Sequence, residues 1–266
     1  NQIILRHDAG NWEAAHDNAR FGGPHSLALD GDQLLTDCRF YVDDYSDHNA
    51  VLTSCRAHHR GGAGVVENAG YFPFGGEIGF SQVSRYAGNA VRITVDLKWP
   101  RGAQVRRHLS LGSLFLPGSW KGFLFVPPAL HLTEGWAPQW HAIEADKTST
   151  GTMLGHWHRP PLALVFERED GKRLEVGTGD DIWRWEHCLG NPPESGSFKV
   201  ILEEHGIRVV REPLMCYQAA EPVARMYRFK WHLAWDRGEQ HLPALPDQLP
   251  LTFDSARKLA APSPDI

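Results

Sequence analysis

The sequence predicts an all-β fold, a large antiparallel β-sandwich, and three observations carry that expectation. From Ala90 to Trp99, the apolar Val91, Ile93, Val95, Leu97 and Trp99 alternate with Arg92, Thr94, Asp96 and Lys98. That two-residue period belongs to a strand with one face in a core and the other in water. Tyr227, Phe229, Trp231, Leu233 and Trp235 alternate in the same way with Arg228, Lys230, His232 and Ala234. The rest of the chain breaks into strand-length stretches punctuated by turn residues, including 26 glycines and 18 prolines, and none of it shows a long 3.6-residue period.

A length of 266 residues suits one large all-β domain, and no linker divides it. We therefore expect a single sandwich domain from Asn1 to Ile266 with an irregular Pro-rich tail over 236–266; Pro127 to Pro138 is the one plausible internal boundary. Hydrophobic residues at 42% and charged residues at 22% match ordinary globular usage. The net charge of -5 and the scattered Lys and Arg argue against a nucleic-acid partner. No apolar run approaches the ~20 residues of a membrane-spanning helix, so no membrane association is expected. The chain starts at Asn1 without Met, which fits a mature form with its leader removed, although no leader is visible to confirm export; a periplasmic or extracellular location is the expectation over the cytoplasm. Oligomeric state is left open. Cys38, Cys55, Cys188 and Cys216 form no metal-type pair; Cys38 and Cys55 can pair across neighbouring strands, but four buried free thiols are the preferred reading.

In chain order, residues 1–20 read as an irregular lead-in with a short strand at Ile3 to Leu5, and Phe21 to His25 as a turn. Leu27 to Leu35 is a hairpin around Asp30-Gly31-Asp32, because Asp-Gly tolerates the positive φ of a tight turn. Strands follow at Cys38 to Val42 and Ala50 to Arg56, separated by an acidic loop that lacks the Gly and terminal Glu of a calcium-binding helix-loop-helix. Asn68 to Glu77 reads as an aromatic, Gly-rich loop. Val105 to Leu111 is expected to pair with the Ala90 to Trp99 strand, with Arg106 and His108 on its polar side. Leu114 to Val126 forms two strands around an exposed loop with Trp120 near its tip. Gln139 to Glu144 is a strand with Trp140 and Ala142 on one side and His141 and Ile143 on the other. Strands at Met153 to His158 and Leu162 to Glu167 precede hairpins through Glu169-Asp170-Gly171 and Glu204-His205-Gly206. Ile182 to His187 reads as a further strand, and Asp254 to Ala260 as a short helix.

Val91 to Trp99, Leu109 to Trp120 and Tyr227 to Trp235 together resemble the galactose-mutarotase-like supersandwich. The resemblance implies stacked large antiparallel sheets and a setting among carbohydrate epimerases, polysaccharide lyases and glycoside-hydrolase domains, in a bacterial glycan-processing context. It carries over no catalytic residue, because no family motif aligns, and fold alone does not define chemistry.

Three chemistries compete. In the first, His141, His156 and His158 converge across a hairpin as a zinc, copper or iron site. In the second, His108, His141, His156, His158, Glu144 and Glu186 supply acid-base groups for epimerisation or elimination on a sugar, with Arg92, Arg106, Arg159 and Arg228 as anion partners. In the third, the 10 tryptophans include sugar-stacking platforms at Trp120, Trp136, Trp140, Trp157 or Trp183. The preferred reading is a carbohydrate-active protein without a bound cofactor or metal. Its catalytic candidates are His141, His156, His158, Glu144 and His108, and its substrate-binding candidates are Trp120, Trp140, Arg92, Arg106 and Arg228. An enzyme is favoured over a non-catalytic binding domain. Nucleophile elbows, phosphate loops and dinucleotide fingerprints are missing from the sequence.

Overall fold

Val91, Ile93, Val95 and Leu97 are fully buried, and Arg92, Thr94 and Asp96 between them are half-buried. One strand face thus meets a core and the other lies on a more polar surface, as the alternation requires. The same logic repeats through the computed structural model, which describes residues 2–40, 50–73, 78–98, 100, 108–109, 112–126, 138–144, 148–157, 161–177, 198–211, 214–215 and 226–238.

The strands in chain order are β1 (Gln2–His7), β2 (Trp12–Asp17), β3 (Ser26–Leu29), β4 (Asp32–Arg39), β5 (Val51–Arg60), β6 (Ala63–Phe72), β7 (Ile78–Ala87) and β8 (Ala90–Lys98). Then come β9 (His108–Leu109), β10 (Gly112–Pro117), β11 (Trp120–Val126), β12 (Gln139–Ala142), β13 (Met153–Trp157), β14 (Ala163–Arg168) and β15 (Arg173–Gly177). The last four are β16 (Phe198–Glu203), β17 (Gly206–Arg211), β18 (Leu214–Met215) and β19 (Met226–Asp236). No helix occurs among the described residues.

Eight strands form one sheet in the order β1-β2-β3-β4-β10-β17-β16-β13, and nine form a second in the order β12-β11-β14-β15-β19-β8-β7-β6-β5. Strands β9 and β18 make a separate two-stranded ribbon. Aromatic contacts join the two large sheets into a sandwich. Trp12 meets Trp235 edge-on at 5.3 Å, Phe40 meets Phe229 at 5.6 Å, and Phe198 meets Trp231 at 5.7 Å. Aromatic pairs in such tilted and edge-on arrangements add to their burial. A polar seam crosses this interior: His16 bonds the Tyr86 hydroxyl at 2.6 Å, and the Gln82 amide donates to the Gly22 carbonyl at 2.7 Å.

The hairpins written in local turn chemistry form as expected. Asp30 (φ 54°) and Gly31 (φ 82°) take the positive φ values that join β3 to β4. The β14–β15 and β16–β17 hairpins also form.

Several expectations need correction. Residues 2–17 are a full hairpin of β1 and β2, not an irregular lead-in. Asn68 to Phe72 continue β6 between β5 and β7 and are not a loop. Residues 108–109 do not pair with β8, because β7 and β19 occupy both of its edges; they pair with Leu214 and Met215. Strands β10 and β11 are consecutive but lie in different sheets, so their connection crosses the sandwich and does not close a hairpin. Trp120, expected at an exposed loop tip, begins β11 and is 3% exposed, with its indole edge-on to Phe166. Cys38 is a buried free thiol and Cys55 a half-buried one, whose thiol burial pushes up. Cys188 and Cys216, the acidic loop after β4, the strand expected at 182–187 and the helix expected at 254–260 lie outside the described residues.

Candidate functional site on the outer face of the large sheet

Pairing register fixes which side chains share the face of the nine-stranded sheet that points away from the sandwich core. On β8 this face carries Arg92, Thr94 and Asp96, and on β19 it carries Arg228, Lys230, His232, Ala234 and Asp236. One row runs from Trp140 through Leu124, Val165 and Glu175 to Ala234. The next runs from Val126 through Ala163, Gly177, His232 and Arg92 to Arg85. Leu124, Val126, Ala163 and Val165 form a small apolar cluster of their own on this face. Polar groups gather beside it on the central strands β15, β19 and β8.

At the centre are Glu175, 0% exposed, and His232, 4% exposed. The His232 Nε2 atom lies 3.8 Å from Glu175 Oε1. Among the described residues neither carboxyl oxygen and neither ring nitrogen has a hydrogen-bond partner. Buried polar groups without partners are uncommon in folded proteins and call for a reason. Burial, and then the nearby Asp236, push the Glu175 carboxyl up to about 8. Burial, and then Arg92, push His232 down to about 4. Both groups are therefore uncharged near neutrality: one holds a proton it can give, the other a lone pair that can accept one. Further along the face, Arg228 grips Asp96 in a bidentate pair, 2.7 Å from Nε and 2.9 Å from Nη2, while its side chain stays 60% exposed. Trp140, at the β12 edge, leaves 46% of its surface open.

The residues expected from the sequence are distributed unevenly around this cluster. Arg92, Arg228 and Trp140 lie on its face. His141 sits on the opposite side of β12, stacked on Phe123 at 4.9 Å, where burial lowers its pKa. Glu144 follows β12 as an exposed residue whose carbonyl accepts the Thr148 hydroxyl at 2.8 Å. His156 is exposed on β13, at the edge of the other sheet, opposite Lys199. His141 and His156 thus belong to different sheets, and no hairpin joins them. No group of three His, Cys, Asp or Glu side chains able to hold a metal occurs among the described residues. His108 contributes backbone to β9; His158 and Arg106 lie outside the described residues, as do Arg159, Glu186, Trp136 and Trp183.

A separate cleft of about 550 Å³ opens at the sandwich rim between the β10–β11 turn and the β16–β17 hairpin, lined by Ser119, Trp120, Ile143, Glu204 and His205 among others. Neither His141 nor His156 lines it.

Residue type and spacing do not single out Glu175 and His232 in the sequence. Glu175 stands among Leu174, Val176 and Gly177 in a short strand-like stretch after the Asp170-Gly171 turn, with nothing local to mark it as chemical. His232 was visible as a polar member of the final alternation, but nothing in one sequence separates a buried outer-face histidine from a solvated one. The available signal was the two apolar neighbours Leu233 and Ala234, which extend the burial of β19 to both faces.

No protein-family model matches the chain, and no curated protein sequence matches it. Solved structures do match. The Slr1438 protein of Synechocystis sp. PCC 6803 superposes with a TM-score of 0.56 at 9% identity, over 89% of this chain and 96% of its own. An α-N-acetylgalactosaminidase from Bifidobacterium bifidum, in its GalNAc complex, gives 0.55 at 11% identity over 89% of this chain. A glycoside hydrolase family 97 variant from Pseudoalteromonas sp. strain K8 gives 0.54 at 9% identity over 88% of this chain. The chain spans about a third of the length of these two glycosidases, 36% of each. At such identities the likeness is one of fold. The shared fold is a sandwich of two large antiparallel sheets.

Proposed function

We propose that this chain is a carbohydrate-active protein that holds a saccharide on the outer face of the nine-stranded sheet and exchanges protons with it through Glu175 and His232. The observation that carries the reading is the buried pair itself, a carboxyl and an imidazole 3.8 Å apart with no hydrogen-bond partners among the described residues. Epimerisation at an anomeric carbon needs one group to protonate the ring oxygen and another to take the proton of the anomeric hydroxyl. Both oxygens are bonded to the same carbon, so an adjacent donor and acceptor serve them together. Glu175 is the donor in this reading and His232 the acceptor. Arg92, opposite His232 in the ladder, and the Arg228–Asp96 pair supply hydrogen bonds to hydroxyls, and Trp140 offers an open aromatic face at the edge of the same surface.

A second reading, a non-catalytic saccharide-binding domain, is favoured by the exposure of Trp140 alone. Polarimetric mutarotation, reducing-sugar release and uronate absorbance, run beside calorimetric binding on the same sugars, separate the two. The enzyme reading predicts turnover that falls about 100-fold or more in Glu175→Gln while binding persists. Binding without turnover in the wild-type protein selects the second reading.

A further inference from the structure

Two arginines stand directly opposite each other on the outer face. Arg85 of β7 is the cross-strand partner of Arg92 of β8, and the next residue in that row, on β19, is His232. Opposed side chains in an antiparallel pair have Cβ atoms ~5 Å apart, and like charges in that relation destabilise the sheet. The usual remedy is an ion pair with a neighbouring carboxylate, and none forms here: among the described residues neither Arg85 nor Arg92 makes a side-chain ion pair or hydrogen bond. Asp96, two residues along β8, is gripped by Arg228. Glu67 stands diagonally from Arg85 on β6 and takes part in no ion pair among the described residues. Glu175 has His232 for its neighbour. Arg85 is exposed and Arg92 half-buried, so the row passes from open solvent at Arg85 through Arg92 to the buried His232.

From this geometry we infer that Arg85 and Arg92 form a subsite for an anionic substituent, a carboxylate or a phosphate ester, on the saccharide bound at this face. Two guanidinium groups offer planar, paired N–H donors that match the oxygens of either anion. Bound there, the anion removes the repulsion between the arginines and anchors the sugar one strand away from His232. The inference rests on the saccharide reading above and narrows it to acidic sugars.

Calorimetric titration of the full chain with glucuronate, glucose 6-phosphate, glucose and inorganic phosphate tests it. At least one acidic sugar is expected to bind about tenfold or more tightly than glucose, with an affinity that falls as salt rises. The two acidic sugars distinguish a carboxylate from a phosphate ester as the anion. Arg85→Gln is expected to weaken that binding about tenfold or more and to leave glucose unchanged, whereas Arg92→Gln, which also removes a donor to the sugar hydroxyls, is expected to weaken both. Arg85→Gln also relieves the like-charge contact, so it is expected to fold at least as stably as the wild type, which keeps the result readable. Glucose binding as tightly as the acidic sugars, or acidic-sugar binding indifferent to Arg85→Gln, overturns the subsite and leaves the saccharide reading standing. Binding of no sugar, with or without binding of inorganic phosphate, overturns both.

Discussion

At the scale of single residues, the buried titratable groups make stability depend on pH in two opposed ways. Glu175 takes up its proton more readily in the fold than in the unfolded chain, about 8 against an ordinary 4.5. The folded state then binds more protons, so stability declines as pH rises from about 4.5 to about 8. His232 and His16 are displaced the other way, to about 4 and about 3 from 6.5, with burial the first cause in each. The unfolded chain binds their protons first, so stability falls as pH drops below 6.5. Glu175→Gln removes the first effect only. Thermal unfolding scanned across pH is expected to show the variant gaining on the wild type towards pH 8, by a few kcal/mol, while the acid-side decline is unchanged. A parallel pair of curves would mean that Glu175 titrates normally. The same residues mark the limit of sequence reading. Residue type and alternation point to Arg92, Arg228 and Trp140, which share the face of the cluster; residue type and local spacing point equally to His141 and His156, which do not share it. Spacing along one strand states which side a residue takes, but not which sheet the strand joins.

At the scale of elements, local turn chemistry was legible and pairing between distant strands was not. Asp30-Gly31 announced its hairpin because only a few residues accept positive φ cheaply. The strands before and after Pro117-Gly118-Ser119 look like another hairpin, yet β10 and β11 enter different sheets. Likewise β8 has its obvious neighbour β7 through a tight turn, but its second neighbour, β19, arrives from more than a hundred residues away. Close approach between such strands is enforced by backbone contact. At Gly206, where β17 lies against β10, a Cβ would run into the Leu116 carbonyl oxygen. Gly206→Ala is therefore expected to lower the denaturant midpoint by the equivalent of about 1–3 kcal/mol. An unchanged midpoint would show that β10 and β17 separate easily there.

At the scale of the whole molecule, the sandwich has two kinds of surface on its larger sheet. The inner face is a continuous aromatic and aliphatic core; the outer face carries an apolar cluster, the Glu175–His232 pair and a set of arginines. An all-β protein of this size was readable from period-two alternation and turn residues, because those patterns are local. Selection of the outer face as the site was not, because it depends on the register of five strands brought together from across the chain. The measurement that tests this account most directly is a magnetic-resonance titration of the wild-type protein with glucuronate and with glucose, following the imidazole of His232 and the indole of Trp140 beside those of His156 and His205. Shifts at His232 and Trp140, with His156 and His205 still, are the predicted result. Shifts confined to His205, at the rim cleft, or to His156, on the other sheet, would contradict it.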